Sequence, residues 1–217
     1  MAYLHELGIV HGDLKGVSPT FSTRLSPHRQ VKQANILVDN TCTARVADFG
    51  LMAMTDLSAV FFSETDISSG GTFCWMSPEL LDSSRFGSNG RPTHESDCYA
   101  LGMVIYEVSW SSSSRPPLIN SPQVLTGLRP FYHLHAYLPV LAVVRGERPG
   151  KPLGAESLGF SDALWELLQS CWSDSSSARP TTQRLLDYLS HASRTWVPHS
   201  VYPAIRVDID SDSSGSL

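Results

Sequence analysis

The sequence lacks the features typical of secreted proteins, of proteins stabilised by a bound metal and of membrane proteins. Its four cysteines form no C-x-x-C pair, so neither a zinc site nor a disulfide framework is indicated. Met1 is not followed by a basic and then apolar leader, and no run of about 18 apolar residues occurs, so neither a signal peptide nor a membrane-spanning helix is expected. These absences favour a reducing compartment, and we expect a cytoplasmic or nuclear protein.

Positive charge is also scarce. The 217 residues carry 16 lysine and arginine side chains against 21 aspartate and glutamate side chains, a net charge of −5. A nucleic acid or an anionic membrane would require a basic face, so neither is expected as a partner. With 41% hydrophobic residues, a chain of this length can bury its own core.

Apolar patterns predict a mainly helical domain with one small hairpin. Residues 1–7 are typical of the end of a helix that Gly8 stops. Two short β-type runs, 35–38 and 44–47, are separated by turn-forming residues and predict the hairpin.

Three longer helices are expected further along the chain. Residues 97–108 are apolar on nearly every side, which predicts a buried central helix. Residues 162–172 carry an amphipathic stripe, and 182–190 are expected to form the last helix. The acidic, serine-rich residues 191–217 are expected to be a disordered tail.

Four motifs occur in a fixed order along this framework. They are His11-Gly12-Asp13-Leu14-Lys15, then Asn35, then Asp48-Phe49-Gly50, then Ser77-Pro78-Glu79. Each alone is more often a turn-forming residue, but the ordered set is specific. Over residues 1–190 the chain resembles the large C-terminal lobe of the eukaryotic protein kinase family, a mainly α lobe of an α+β fold. The resemblance implies phosphorylation of protein serine or threonine with ATP and Mg²⁺, in the tyrosine-kinase-like group.

The resemblance also implies roles for single residues. Phosphoryl transfer needs positioning and charge neutralisation more than covalent help. Asp13 would be the catalytic base, Lys15 would lie against the transferring phosphate, and Thr72 would position the protein substrate. Asn35 and Asp48 would bind magnesium, which prefers oxygen ligands. Leu37, together with Asn35 and Asp48, would contact the nucleotide.

A further set of residues would hold the lobe together. Glu79 would form a buried ion pair with Arg179, and losing one partner of such a pair typically costs about 3–5 kcal/mol. Asp97 would anchor the backbone of the catalytic loop. The structural residues implied by the resemblance are His11, Phe49, Gly50, Glu79, Asp97 and Arg179.

Two departures from the family pattern stand out. Gly12 occupies the place where many kinases have arginine, so a phosphate on the activation segment would lack its usual partner, and regulation by phosphorylation there is not expected. No G-x-G-x-x-G loop precedes the catalytic loop, so we expect this chain to lack the N-terminal lobe. We therefore expect weak or no activity from the isolated chain, and a partner on the face that this lobe would cover.

Residues 17–33 and 108–123 are rich in serine and proline, and neither stretch has helix or strand periodicity. Each begins Val-Ser and ends in Gln, residues that GTNAGT and CAG can encode, so both are either translated introns or surface-loop insertions. The first separates Asp13 from Asn35, where a shift of about 1 Å can cost about a hundredfold in rate.

Two alternatives to a kinase lobe follow. A pseudokinase-like interaction module would bind its partner without magnesium, and that binding would survive Asp48→Ala. A truncated or intron-retaining product without function would expose an apolar patch and dissolve poorly.

Overall fold

The computed structural model describes residues 1–16, 35–38, 44–48, 72–113, 130–131, 133–135, 137–151 and 161–195. These residues form six α-helices, one two-stranded sheet and two 3-10 helices, which confirms the mainly helical fold with a small hairpin. In chain order they are α1 (Ala2–Glu6), β1 (Ile36–Val38), β2 (Ala44–Val46), a 3-10 helix (Thr72–Cys74), α2 (Pro78–Leu81), α3 (His94–Ser113), α4 (Leu138–Val144), α5 (Asp162–Cys171), a second 3-10 helix (Ser176–Ala178) and α6 (Thr182–Thr195).

The predicted hairpin is present. Strands β1 and β2 pair antiparallel, with Ile36 opposite Val46 and Val38 opposite Ala44. The turn predicted at 39–41 lies outside the described residues.

Helix α3 is the buried central helix, and it is longer than predicted at both ends. It begins at His94 because Thr93 and Ser96 cap it reciprocally: the Ser96 amide donates to Thr93 Oγ1 at 3.2 Å, and the Thr93 amide donates to Ser96 Oγ at 2.9 Å. At its other end it continues to Ser113, six residues into the stretch 108–123 that was expected to lack a helix. Extending an existing helix adds one hydrogen bond per residue, whereas starting one is costly.

Helix α5 has the predicted amphipathic character. Ser161 caps it by accepting from the Leu164 amide at 3.2 Å, and Leu164, Leu168 and Cys171 are buried. Helix α6 continues to Thr195, so residues 191–195 are helical and not part of a tail. Residues 196–217 lie outside the described part.

Two short helices, α2 and α4, were not predicted. Each spans seven residues or fewer and carries a proline in its first turn. Helix α4 buries Pro139, Ala142 and Val143 and packs against α2 and the first 3-10 helix. No helix in the described ranges is both long enough and apolar enough to cross a membrane.

Candidate active site

The loop that follows α1, residues 11–15, is held by one carboxylate from α3. Asp97 is 1% exposed, and it accepts hydrogen bonds from the backbone amides of His11 at 2.7 Å and Gly12 at 2.8 Å. The aspartate that the motif assigned to anchoring this loop therefore contacts it directly.

His11 joins the same loop to the hairpin. The Asp13 amide donates to His11 Nδ1 at 3.2 Å, so the ring proton is on Nε2, which donates to the Ala47 carbonyl at 3.0 Å. Because Ala47 directly precedes Asp48, this fully buried histidine fixes where the hairpin ends relative to the loop.

The Asp13 carboxylate collects two side-chain donors on one oxygen. Lys15 Nζ donates to Asp13 Oδ2 at 2.8 Å, and Asn35 Nδ2 donates to the same oxygen at 3.1 Å. Asn35 also donates to the Asp13 backbone carbonyl. Asp13 and Lys15 side chains are about one-fifth exposed, at 20% and 17%, so this cluster is open to a reactant.

The residues before the Ser-Pro-Glu motif face Asp13. A cavity of about 10 Å³, roughly the space of one water molecule, lies between the loop and α3, and Trp75 and Met76 line it together with Asp13. The segment that the motifs assign to substrate positioning is therefore next to the carboxylate.

Asn35 contacts Asp13 although residues 17–33 intervene in the sequence. The Asn35 amide donates to the Lys15 carbonyl at 3.1 Å, and the Ala47 amide donates to the Asn35 carbonyl at 2.8 Å. Lys15 and Asn35, which lie on either side of the intervening stretch, are thus joined by a hydrogen bond. Such closure is tolerated because its entropic cost grows only slowly with loop length.

The residues assigned to magnesium flank the hairpin: Asn35 directly precedes β1, and Asp48 lies two residues after β2. The Asn35–Ala47 bond brings Asn35 beside the residue preceding Asp48, and Asp48 is exposed with a positive φ of 56°. An amide oxygen and a carboxylate are suitable ligands for Mg²⁺, which usually takes further oxygens from phosphates and water. Among the described residues, no three His, Cys, Asp or Glu side chains are grouped to hold a metal.

For four other residues assigned from the motifs, the structure describes at most the backbone. Leu37 lies in β1 and Thr72 begins the first 3-10 helix, but their side chains are not described. Phe49 and Gly50 lie outside the described residues.

Glu79 and Arg179 form the buried pair that the motifs imply. Arg179 Nη1 and Nη2 donate to the two Glu79 oxygens at 2.6 and 2.7 Å. Burial alone would raise the pKa of Glu79, but the hydrogen bonds and positive charge of Arg179 bring it below 4.5. The bidentate contact ties α2 to the segment before α6.

Sequence reasoning missed several polar residues around this site. Trp75 Nε1 donates to Glu107 Oε2 at 3.1 Å, and burial raises the pKa of Glu107 to about 7 although this bond opposes the rise. A lone glutamate inside the apolar run of α3 was a signal that could have indicated it. His5 and Thr182, which bond to each other, carried no comparable signal.

Comparison with known proteins gives one family. The profile described as "Protein tyrosine and serine/threonine kinase" matches residues 21–189, more than three-quarters of the chain. The match begins after Asp13, so the first motif extends the similarity beyond the matched range.

Individual proteins similar to this chain are serine/threonine kinases by name. A probable LIM domain-containing serine/threonine-protein kinase of Dictyostelium discoideum is 28% identical over 90% of this chain and 22% of its own length. Serine/threonine-protein kinase STY46 of Arabidopsis thaliana is 26% identical over 89% of this chain and 25% of its own. The probable serine/threonine-protein kinase drkB of Dictyostelium discoideum is 30% identical over 77% of this chain and 20% of its own. The chain thus spans a quarter or less of these relatives.

Proposed function

The chain belongs to the protein tyrosine and serine/threonine kinase family, and we propose that its loop 11–15 supplies the catalytic base of protein serine/threonine phosphorylation. The observation that carries the proposal is the cluster on Asp13, where Lys15 and Asn35 donate to one carboxylate oxygen. The anchoring of the same loop by Asp97 supports it, because a catalytic base must be held in position.

In the proposed step, a serine or threonine hydroxyl gives its proton to the Asp13 carboxylate. Its oxygen bonds to the γ-phosphorus of ATP, and the bond from that phosphorus to the bridging oxygen of ADP breaks. Lys15, beside Asp13, would place a positive charge next to the transferring phosphoryl group and balance the negative charge on its oxygens.

The magnesium site is part of the proposal. Asn35 and Asp48 would hold the ion, Asn35 through its side-chain oxygen, since its side-chain nitrogen donates to Asp13. When bound, Mg²⁺ neutralises charge on the nucleotide phosphates. By itself the 217-residue chain is expected to transfer phosphate weakly or not at all, because none of its residues matches a glycine-rich loop.

Nucleotide binding provides the test because it can be measured even if transfer is slow. With ATP and Mg²⁺ at a hundredfold excess over the dissociation constant, thermal or urea unfolding should show about 2.7 kcal/mol of added stability. Asp48→Asn should remove the magnesium-dependent part of this gain. The absence of any magnesium-dependent shift would contradict the proposed site in this chain.

Asp13→Asn is the matched control, since it changes a carboxylate that is not assigned to the metal. It should keep most of the nucleotide-dependent stabilisation. Any transfer to a generic protein substrate should fall by about 100- to 10,000-fold, the usual contribution of a general base. Unchanged transfer by Asp13→Asn would exclude Asp13 as the base.

A second candidate is a pseudokinase-like interaction module. It is favoured by the stretch 17–33, which interrupts the catalytic loop between Asp13 and Asn35. It predicts a protein partner whose binding needs no magnesium and survives Asp48→Ala. Retained partner binding with no nucleotide-dependent stabilisation would favour this candidate over the enzyme.

A further inference from the structure

A chain of hydrogen bonds joins the last helix to the catalytic loop. Thr182, the first residue of α6, contacts His5 Nδ1 through its hydroxyl at 3.0 Å. His5 Nε2 contacts Asp97 Oδ2 at 2.9 Å, and Asp97 in turn accepts from the amides of His11 and Gly12. Three side chains, one each from α1, α3 and α6, thus form a hydrogen-bonded chain that ends at loop 11–15.

The donors and acceptors in this chain can be assigned. Both Asp97 oxygens already accept backbone amides, and a carboxylate only accepts, so His5 Nε2 must carry a proton and donate. In a neutral imidazole, Nδ1 is then an acceptor, and the Thr182 hydroxyl donates to it. Asp97 therefore requires the His5 tautomer that is protonated on Nε2, and the Thr182 hydroxyl stabilises that same tautomer by donating to Nδ1.

The orientation of the His5 ring is also restricted by packing. The ring stacks on His94, with centroids 4.2 Å apart and planes 24° apart. Thr182 is 4% exposed and the His5 side chain 11% exposed. A buried polar atom left without its partner destabilises the fold, so other ring orientations are disfavoured.

We propose that His5, oriented by the Thr182 hydroxyl, is a positioning residue for the catalytic loop. Through Asp97 it holds the backbone amides of His11 and Gly12, and so the segment that carries Asp13. The proposal rests on the proposed function only for the role of Asp13, because the contacts themselves are independent of nucleotide.

Amide hydrogen exchange in the full chain, without nucleotide, tests the coupling. Thr182→Val keeps the shape of the side chain but removes its hydroxyl. We expect the His11 and Gly12 amides to exchange about tenfold faster in this variant, relative to core amides of α3 such as that of Met103. Thr182→Ser restores the hydroxyl and should return both rates to those of the unchanged chain.

Thr181→Val is the matched control for a merely structural effect. The Thr181 hydroxyl caps the same helix by accepting from the Arg184 amide at 3.3 Å, whereas the hydroxyl that contacts His5 is that of Thr182. This variant should weaken α6 without a selective change at His11 and Gly12. Equal effects of Thr181→Val and Thr182→Val, or no effect of Thr182→Val, would overturn the proposal.

Nitrogen-15 spectra of the histidine rings provide a second measurement that needs no variant. In the unchanged chain at neutral pH, His5 should show a protonated Nε2 and an acceptor-type Nδ1. A neutral ring protonated on Nδ1 would overturn the proposal even if the variants failed to fold. Either failure would leave the nucleotide-binding test of the proposed function unaffected.

Discussion

At the scale of single residues, Glu107 gives the domain a dependence on pH. Its carboxyl is 7% exposed and accepts from the Trp75 indole, and burial raises its pKa to about 7 from 4.5. Between these values the folded chain keeps a proton that the unfolded chain has already released. Stability contributed by this group is therefore complete below pH 4.5 and is lost as the pH rises towards 7.

The expected loss is about 3 kcal/mol across that interval. Glu107→Gln resembles the protonated carboxyl and does not titrate, so its stability should lack this fall. Urea unfolding of both chains at pH 5, 6, 7 and 8 measures the difference. Parallel pH profiles for the two chains would show that Glu107 is not the group responsible.

The polar residues of the site differ in how far the sequence predicts them. Asp97 and the Glu79–Arg179 pair could be predicted because the motifs fix their positions, although the hydrogen-bonded partners stand 86 and 100 residues apart. Thr182 and His5 meet across 177 residues, and neither belongs to a motif that names the other. Local patterns cannot supply such a contact, since it depends on how α1 and α6 pack.

At the scale of elements, hydrophobic periodicity predicts the long helices and fails for the short ones. Helices α3 and α5 follow from their apolar patterns, but α2 has only 4 residues and α4 only 7. Elements this short are stabilised by tertiary packing more than by intrinsic propensity. The early start of α3 depends on a Thr93–Ser96 cap, in which serine takes the place usual for glutamate or glutamine.

The close approach of α3 and α5 depends on Gly102. A Cβ atom at this position would lie 2.9 Å from Cys171 Cβ and 2.9 Å from Trp172 Nε1. Alanine normally favours a helix over glycine by about 1 kcal/mol. Overpacking a core typically costs about 1–3 kcal/mol, so after the helix gain Gly102→Ala should destabilise the chain by up to about 2 kcal/mol.

Gly150→Ala is the matched control because, apart from its chain neighbours, no atom of the described residues lies within 4 Å of the added Cβ. Its backbone carbonyl, which accepts from Tyr106, is retained. We expect a change within about 0.5 kcal/mol in urea unfolding. A more stable Gly102→Ala chain would mean that the two helices can separate at little cost.

At the scale of the whole molecule, the site is assembled from segments that the sequence separates. Asp13, Asn35 and the residue before Asp48 are joined by hydrogen bonds, and Asp97 holds the loop from α3. The motif order could predict which residues belong together. It could not predict that Asn35 would still contact Asp13 across residues 17–33, because that depends on the hydrogen bond between Lys15 and Asn35 on either side of the stretch.

The contacts of the residues that flank the stretch 17–33 predict the effect of deleting it. The deletion joins Gly16 to Ala34, so Lys15 and Asn35 become the first and fourth residues of a turn. The Asn35 amide already donates to the Lys15 carbonyl at 3.1 Å, which is the bond of a β-turn, and Gly16 has a positive φ of 50°. Type I′ and II′ turns require a positive φ at the second residue, where Gly16 would stand.

The shortened chain should therefore fold with the Asp13–Asn35 contact intact. Closing a much shorter loop should also stabilise it by about 1–2 kcal/mol, measured by urea unfolding. Cooperative unfolding at higher stability is expected if the stretch is either a translated intron or a tolerated loop. If the shortened chain no longer unfolds cooperatively, residues 17–33 contribute contacts on which the lobe depends. The stretch would then be neither a translated intron nor a tolerated loop.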